Sequence, residues 1–212
     1  MKKARFFSGV LILSVLMLLS LSSCLGVSAD IVLNSDNSGV INLEYRISHI
    51  LESLGKQDGN ERWLPLPVGR ADFERSLARL PNMKLLSFSS RDDGKDIIIT
   101  VKLEFKDMDA LLGFLDAAGE KAVFIRENAS SRLTLVLSEG GSGGNKDLAD
   151  LFAKVSAGYF VNISLNLPHE GTLNAPSIKG GEIQNRGKKL TCSLPLSGIL
   201  ASSDGVKLEF TW

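Results

Sequence analysis

His49 and His169 are the only imidazoles in this 212-residue chain, and Cys24 and Cys192 are its only thiols. These four side chains bound the metal, redox and nucleophilic chemistry open to it. A zinc site takes nitrogen and sulfur ligands, commonly presented as close pairs along the chain. Neither histidine belongs to a His-x-x-x-His or His-x-His pair, and no Cys-x-x-Cys occurs. No metal and no cofactor is therefore expected. His49 stands among apolar residues at a strand end, and His169 follows Pro168 in a loop; both read as structural or solvent-facing. Gly-Lys-Ser/Thr and Gly-x-Ser-x-Gly are absent, so the phosphate loop and the strand–elbow–helix serine site have no sequence basis. The carboxylates are scattered. Asp36-Asn37 and Asp92-Asp93-Gly94 read as turns, because these residues tolerate turn dihedrals and bond nearby backbone. Neither supplies the alternating oxygens of a calcium loop. An enzyme is not expected.

Two fragments invite comparison with penicillin-binding enzymes: Ser53-Leu54-Gly55-Lys56 matches Ser-x-x-Lys, and Ser35-Asp36-Asn37 matches Ser-Asp-Asn. Their order is the reverse of that family's, and Lys-Thr-Gly is missing. Gly55 inside the first motif ends a helix more readily than it extends one. The fragments do not make that site.

The chemistry that remains belongs to Cys24. Lys2, Lys3 and Arg5 precede an apolar run from Phe6 to Leu21, and Leu21-Ser22-Ser23-Cys24 follows. A basic start, a short apolar segment and small residues before a cut make a secretory signal peptide, here residues 1–23. Leucine three before a cysteine, with small residues between, resembles the bacterial lipobox. That resemblance implies that Cys24 is diacylated on sulfur, becomes the first mature residue and anchors the chain in a membrane. Two chains anchor stably where one binds marginally, at about 0.8 kcal/mol per buried CH₂. Two alternatives stay open. Val27-Ser28-Ala29 is a plausible ordinary cleavage site, releasing a chain that starts at Asp30. An uncleaved anchor falls short of the roughly 20 apolar residues a span requires.

Removing residues 1–23 leaves 189, enough for one substantial domain or two small ones. The precursor carries 24 basic and 24 acidic residues; without Lys2, Lys3 and Arg5 the balance is 21 to 24. No basic tract exists, so nucleic acid is not an expected partner. Once Cys24 is acylated or removed, Cys192 has no partner for a disulfide, and the hydrophobic core must carry stability alone.

Period-two alternation marks half-buried strands. The apolar sets are Ile41, Leu43, Tyr45 and Ile47; Ile97, Ile99, Val101, Leu103 and Phe105; and Leu133, Leu135 and Leu137. Two more follow: Val161, Ile163, Leu165 and Leu167, then Val206, Leu208, Phe210 and Trp212. Shorter candidates are Asp30–Asn34, Lys84–Ser90, Ala122–Glu127 and Leu190–Leu194. Pro195 has no amide hydrogen, so the last of these is an edge strand or ends there.

Helical spacing separates the strands. Phe73, Leu77 and Leu80 predict a helix over 71–80. Met108, Leu111, Leu112 and Leu115 predict one over 107–118, capped by Asp107 and closed by Gly119. Leu148, Leu151, Phe152 and Val155 predict a third over 146–157, and His49–Leu54 a further short turn. Hairpins are expected at 30–34/40–47, 84–90/95–105 and 121–127/131–138. The order predicts an α+β fold, an antiparallel sheet of hairpins with amphipathic helices packed on one face. It divides into 24–139, a flexible Gly/Ser linker at 140–145, and 146–212, a helix plus strands completing the same domain. Trp63, in the apolar segment Glu61–Val68, reads as a plug on the core or the rim of a pocket. The apolar residues of Phe105–Leu115 either pack on the sheet or wall a lipid cavity.

The order of elements resembles the LppM-type family of bacterial envelope lipoproteins. The likeness rests on the lipobox at Cys24, the polar turn Asp36-Asn37-Ser38-Gly39 and the phenylalanine-led helix at Phe73. It extends to the passage Leu103-Glu104-Phe105-Lys106-Asp107-Met108-Asp109 and the closing strand Gly205–Trp212. It implies an α+β domain outside the membrane that binds lipids or lipoglycans without catalysis. Members often carry a transmembrane helix after this domain, which this sequence lacks. The expectation is thus an exported, non-enzymatic lipoprotein held by Cys24 at the outer face of a bacterial membrane and binding an amphiphile. The alternative is a protein-interaction or assembly module, with Leu190–Leu194 as an edge open to a partner strand.

Overall fold

The computed structural model describes residues 26–49, 69–94, 96–116, 121–127, 130–140, 156 and 158–212. Cys24, Ser53, Lys56, Trp63 and almost all of the 146–157 segment lie outside the described residues.

Eleven strands and three helices are formed by the described residues: β1 (Val27–Leu33), β2 (Gly39–Ser48), α1 (Arg70–Leu77), β3 (Met83–Asp92), β4 (Asp96–Phe105), α2 (Met108–Leu115), β5 (Ala122–Glu127), β6 (Ser130–Ser138), β7 (Phe160–Asn166), β8 (Thr172–Asn174), β9 (Glu182–Arg186), β10 (Lys189–Pro195), α3 (Leu196–Ala201) and β11 (Val206–Thr211). The strands make a seven-stranded sheet in the order β3-β4-β2-β1-β7-β10-β9 and a four-stranded sheet in the order β5-β6-β11-β8. The large sheet is mixed, because β1 runs parallel to β7. The small one is antiparallel throughout.

Alternation explains the core. Ile99, Val101, Leu103 and Phe105 of β4 are all within 1 % of full burial. Ile31, Ile41, Leu165 and Leu190 face the same way from neighbouring strands. Leu133, Leu208 and Phe210 of the small sheet join the same apolar cluster. What covers the large sheet is therefore a second sheet.

The expected α+β layering is corrected on this point. Among the described residues the fold is mostly β, with three short helices rather than a helical layer. The apolar stripes of the strands do face inward, but a stripe says which side is buried, not what buries it. The helices plug the margins. In α1, Phe73 and Leu77 are buried, and the Phe73 ring meets Phe88 at 5.7 Å and Tyr45 at 6.4 Å between centroids. In α2, Met108, Ala110 and Leu111 are buried, so this segment packs into the core rather than walling a lipid cavity.

Both helices are shorter than their periodicity predicts. The segment 71–80 is helical only to Leu77. The segment 107–118 stops at Leu115, because Asp116 turns to φ −152°, ψ 86° and accepts from the Ala122 amide at 3.0 Å. Asp107 caps α2 as expected, accepting from the Ala110 amide at 2.8 Å. The three hairpins form as read. Leu190–Leu194 is not an edge, since β10 lies between β7 and β9 and ends at Pro195. Strands from before and after the Gly/Ser tract share both sheets.

Candidate functional site

The β1–β2 turn, the ends of strands β5 and β6, the Pro168–His169 loop and Trp212 build the cleft of greatest chemical interest. The β1–β2 turn is tied by Asp36, whose carboxylate accepts from the Ser38 hydroxyl at 2.6 Å and the Ser38 amide at 3.0 Å. These bonds, the hydroxyl's first, hold Asp36 below the ordinary carboxylate range. Asn37 takes the left-handed conformation, φ 66°, which asparagine tolerates better than other side chains. That turn places the Asn37 Oδ1 where Arg126, at the end of β5, donates to it at 3.1 Å.

Beside this contact lies an open cleft of about 450 Å³. Its walls are Ser35 and Asn37, Arg126 and Glu127, Ser130 and Ser131, Pro168 and His169, and Trp212. Trp212 is fixed from behind. Its ring stacks on Phe124 at 5.9 Å and 25°, and its backbone exchanges two hydrogen bonds with Ser131, at 2.7 and 3.0 Å. An indole wall, a guanidinium, a carboxylate, an imidazole and several hydroxyls suit a ligand with hydrogen-bonding groups on an apolar frame.

The other sequence-marked residues are dispersed. His49 pairs with Asp92 at 3.1 Å on the surface, far along the strands from His169. The Gly94 amide and then His49 hold Asp92 below its ordinary range. Asp92-Asp93-Gly94 is a turn as read: Asp92 accepts from the Gly94 amide at 2.7 Å and Asp93 from the Asp96 amide at 2.8 Å. Cys192 is a buried free thiol on β10. Burial pushes it up to about 11, which disfavours the reactive thiolate. Among the described residues no group of three or more His, Cys, Asp or Glu side chains could hold a metal ion. Cys24, the lipidation candidate, lies outside the described residues.

The cleft is not legible in the sequence. His169 lies in a loop, as its place after Pro168 suggests, but its neighbours come from the turn 35–37, the ends of β5 and β6 and the end of β11. No spacing along the chain announces such a gathering. The one available signal was Trp212 closing an alternating strand, which read only as core.

Comparison with known proteins returns no matching family model, no matching curated protein and no matching solved structure.

Proposed function

We propose that the chain is an exported, non-enzymatic envelope lipoprotein, anchored through acylated Cys24, that binds the polar part of an amphiphile in the Arg126–His169–Trp212 cleft. One observation carries the anchored half of this reading. Strand β1 begins at Val27, and Val27, Ser28 and Ala29 are paired on both sides, with Tyr45, Glu44 and Leu43 of β2 and with Val161, Asn162 and Ile163 of β7. Cleavage after Ala29 would remove three residues from a central strand and strip ladder bonds from two neighbours. Cleavage before Cys24 leaves the strand whole.

The binding half rests on the cleft. Its charged and hydroxyl groups, beside the Trp212 indole, favour a headgroup or a glycan portion over an acyl chain alone, because an acyl chain gains by burial among apolar side chains. The full chain should incorporate a radioactive fatty acid, and Cys24→Ser should abolish this. Native mass spectrometry of the protein extracted from envelopes should find a co-purifying amphiphile, reduced about tenfold in occupancy by Arg126→Ala. Continued labelling of the Cys24→Ser chain overturns the anchor. A ligand-free mass for the extracted protein overturns the binding role.

A second reading has its own observation. Strand β5 is an edge of the small sheet and exposes Val123 and Ile125 at 43 and 44 %. An edge with apolar residues is suited to addition of a partner strand. A Val123→Lys, Ile125→Lys chain that loses an envelope cross-link made by the parent would favour the assembly role.

A further inference from the structure

The anchor and the fold are separated by almost no chain. The Gly26 carbonyl already accepts from the Arg46 amide at 3.1 Å. Only Leu25 stands between Cys24 and Gly26 in the sequence. Two peptide steps span at most about 7 Å. The headgroup layer on each side of a bilayer is about 5–8 Å deep, the difference between its hydrocarbon and overall thickness. An acylated Cys24 at the base of that layer therefore holds Gly26 within or just above it.

The register shows what else lies at this end. Gly26 abuts the first residue of β7: a Cβ added to it would stand 3.8 Å from the Phe160 carbonyl oxygen. Phe160 pairs with Pro195, the last residue of β10. The chain then enters α3 directly, the Leu196 amide donating to the Tyr159 carbonyl at 2.8 Å. Among the described residues two large apolar side chains are exposed here, Phe160 at 37 % and Leu200, on α3, at 53 %. Among the described residues at this end, Arg46 pairs with Glu44 at 3.3 Å and His49 lies 3.1 Å from Asp92. Phe160 and Leu200 offer an apolar contact here. Aromatic rings favour the interfacial layer, where one side is apolar and the other wet.

We propose that this end of the protein is a membrane-contact surface, with Phe160 and Leu200 seated in the headgroup layer of the bilayer that holds the Cys24 acyl chains. The inference rests on the anchored reading given above. Its consequence is a fixed orientation. Strand β1 has seven residues and rises about 3.3 Å at each, so the Arg126–His169–Trp212 cleft, beyond its far end, lies on the order of 25 Å along the strand from the membrane-facing end. A ligand would then be met from the space outside the bilayer.

The test uses the full, acylated chain in phosphatidylethanolamine–phosphatidylglycerol vesicles. A nitroxide is attached through Ala201→Cys, beside Leu200, or through Glu170→Cys, next to the cleft; both positions are exposed. Cys192 is buried and stays unlabelled in the folded protein. The label at 201 should collide more with lipid-soluble oxygen than with a water-soluble nickel complex, and the label at 170 should do the reverse. Adding Phe160→Ser and Leu200→Ser should give the label at 201 the behaviour of the label at 170. Equal, water-like behaviour at both positions, on a chain whose mass confirms the acyl groups, overturns the contact surface and leaves the anchor standing. A chain whose mass lacks the acyl groups overturns both.

Discussion

Asp30 accepts a hydrogen bond from the Asn166 Nδ2 at 2.9 Å, although 136 residues separate the two. The bond crosses the parallel β1–β7 pairing, the seam that joins the first hairpin to the last third of the chain. Parallel pairing needs a long connection and is bought with loop-closure entropy before contacts repay it. A charge-assisted side-chain bond across that seam helps hold its register. Both residues are half-exposed, so solvent moderates its strength. Asp30→Ala should lower stability by about 1 kcal/mol in urea unfolding. The Asp30→Ala, Asn166→Ala double variant should cost measurably less than the sum of the single changes. Strict additivity would show that the pair does not couple.

Gly39 and Gly94 respond to alanine for different reasons. A Cβ at Gly39 would collide with the Val32 carbonyl oxygen, with the Phe105 ring at 2.5 Å behind it. Backbone on one side and a fully buried ring on the other leave little room to give. Gly39→Ala should cost on the order of 2–3 kcal/mol as an overpacked site. Gly94 has open space around it but a φ of +86°, so Gly94→Ala should cost only about 1 kcal/mol, from backbone conformation. Chemical unfolding of the two variants checks the ranking.

The sequence disclosed strands better than it disclosed their neighbours. The odd-numbered face of β4 is apolar at five alternate positions, and four of them are at most 1 % exposed. Three hairpins and the Asp107 cap were legible for the same reason, since each is a local pattern. The β1–β7 pairing and the second sheet were not, because nothing local encodes a partner distant in sequence. Strands β8 and β9 escaped for want of pattern: one has three residues, and all five residues of the other are exposed. The short helices lost out to Leu133, Leu208 and Phe210, which bury the large sheet's apolar face from the small sheet. The cleft brings the β1–β2 turn, the ends of β5 and β6, the Pro168–His169 loop and the end of β11 together, so only Trp212 hinted at it.

The Cys192 thiol predicts a pH dependence. Burial raises it from its ordinary value of 9.0 to about 11 in the folded state, so the native protein keeps a proton that the unfolded chain gives up. Stability from this group is intact below pH 9 and falls as pH rises through the 9–11 window, because the unfolded state binds fewer protons there. Between pH 8 and pH 11 the parent should lose more stability than Cys192→Ala does, measured by urea midpoints at each pH. Thiol reagents at pH 8 should modify Cys192 only after denaturant is added. Rapid modification of the folded protein, or parallel pH curves, would contradict the burial assigned to it.

Val101 and Lys102 are adjacent on β4 and point to opposite faces. Val101 is 1 % exposed within the core that the two sheets share, whereas Lys102 is exposed. Val101→Ala removes two methyl groups from a packed site, leaving part of their volume as a cavity, and should cost about 1–3 kcal/mol. Lys102→Ala should change stability by about 0.5 kcal/mol or less, since that side chain loses no buried contact. The outer face around Lys102 is polar across the sheet: Ser87, Asn42, Asp30, Ser164 and Thr191 follow it in register on neighbouring strands. A row of that composition gains little by being covered. If the two substitutions proved equally costly, another layer of protein would have to rest on this face, and the two-sheet architecture would describe only part of what buries the large sheet.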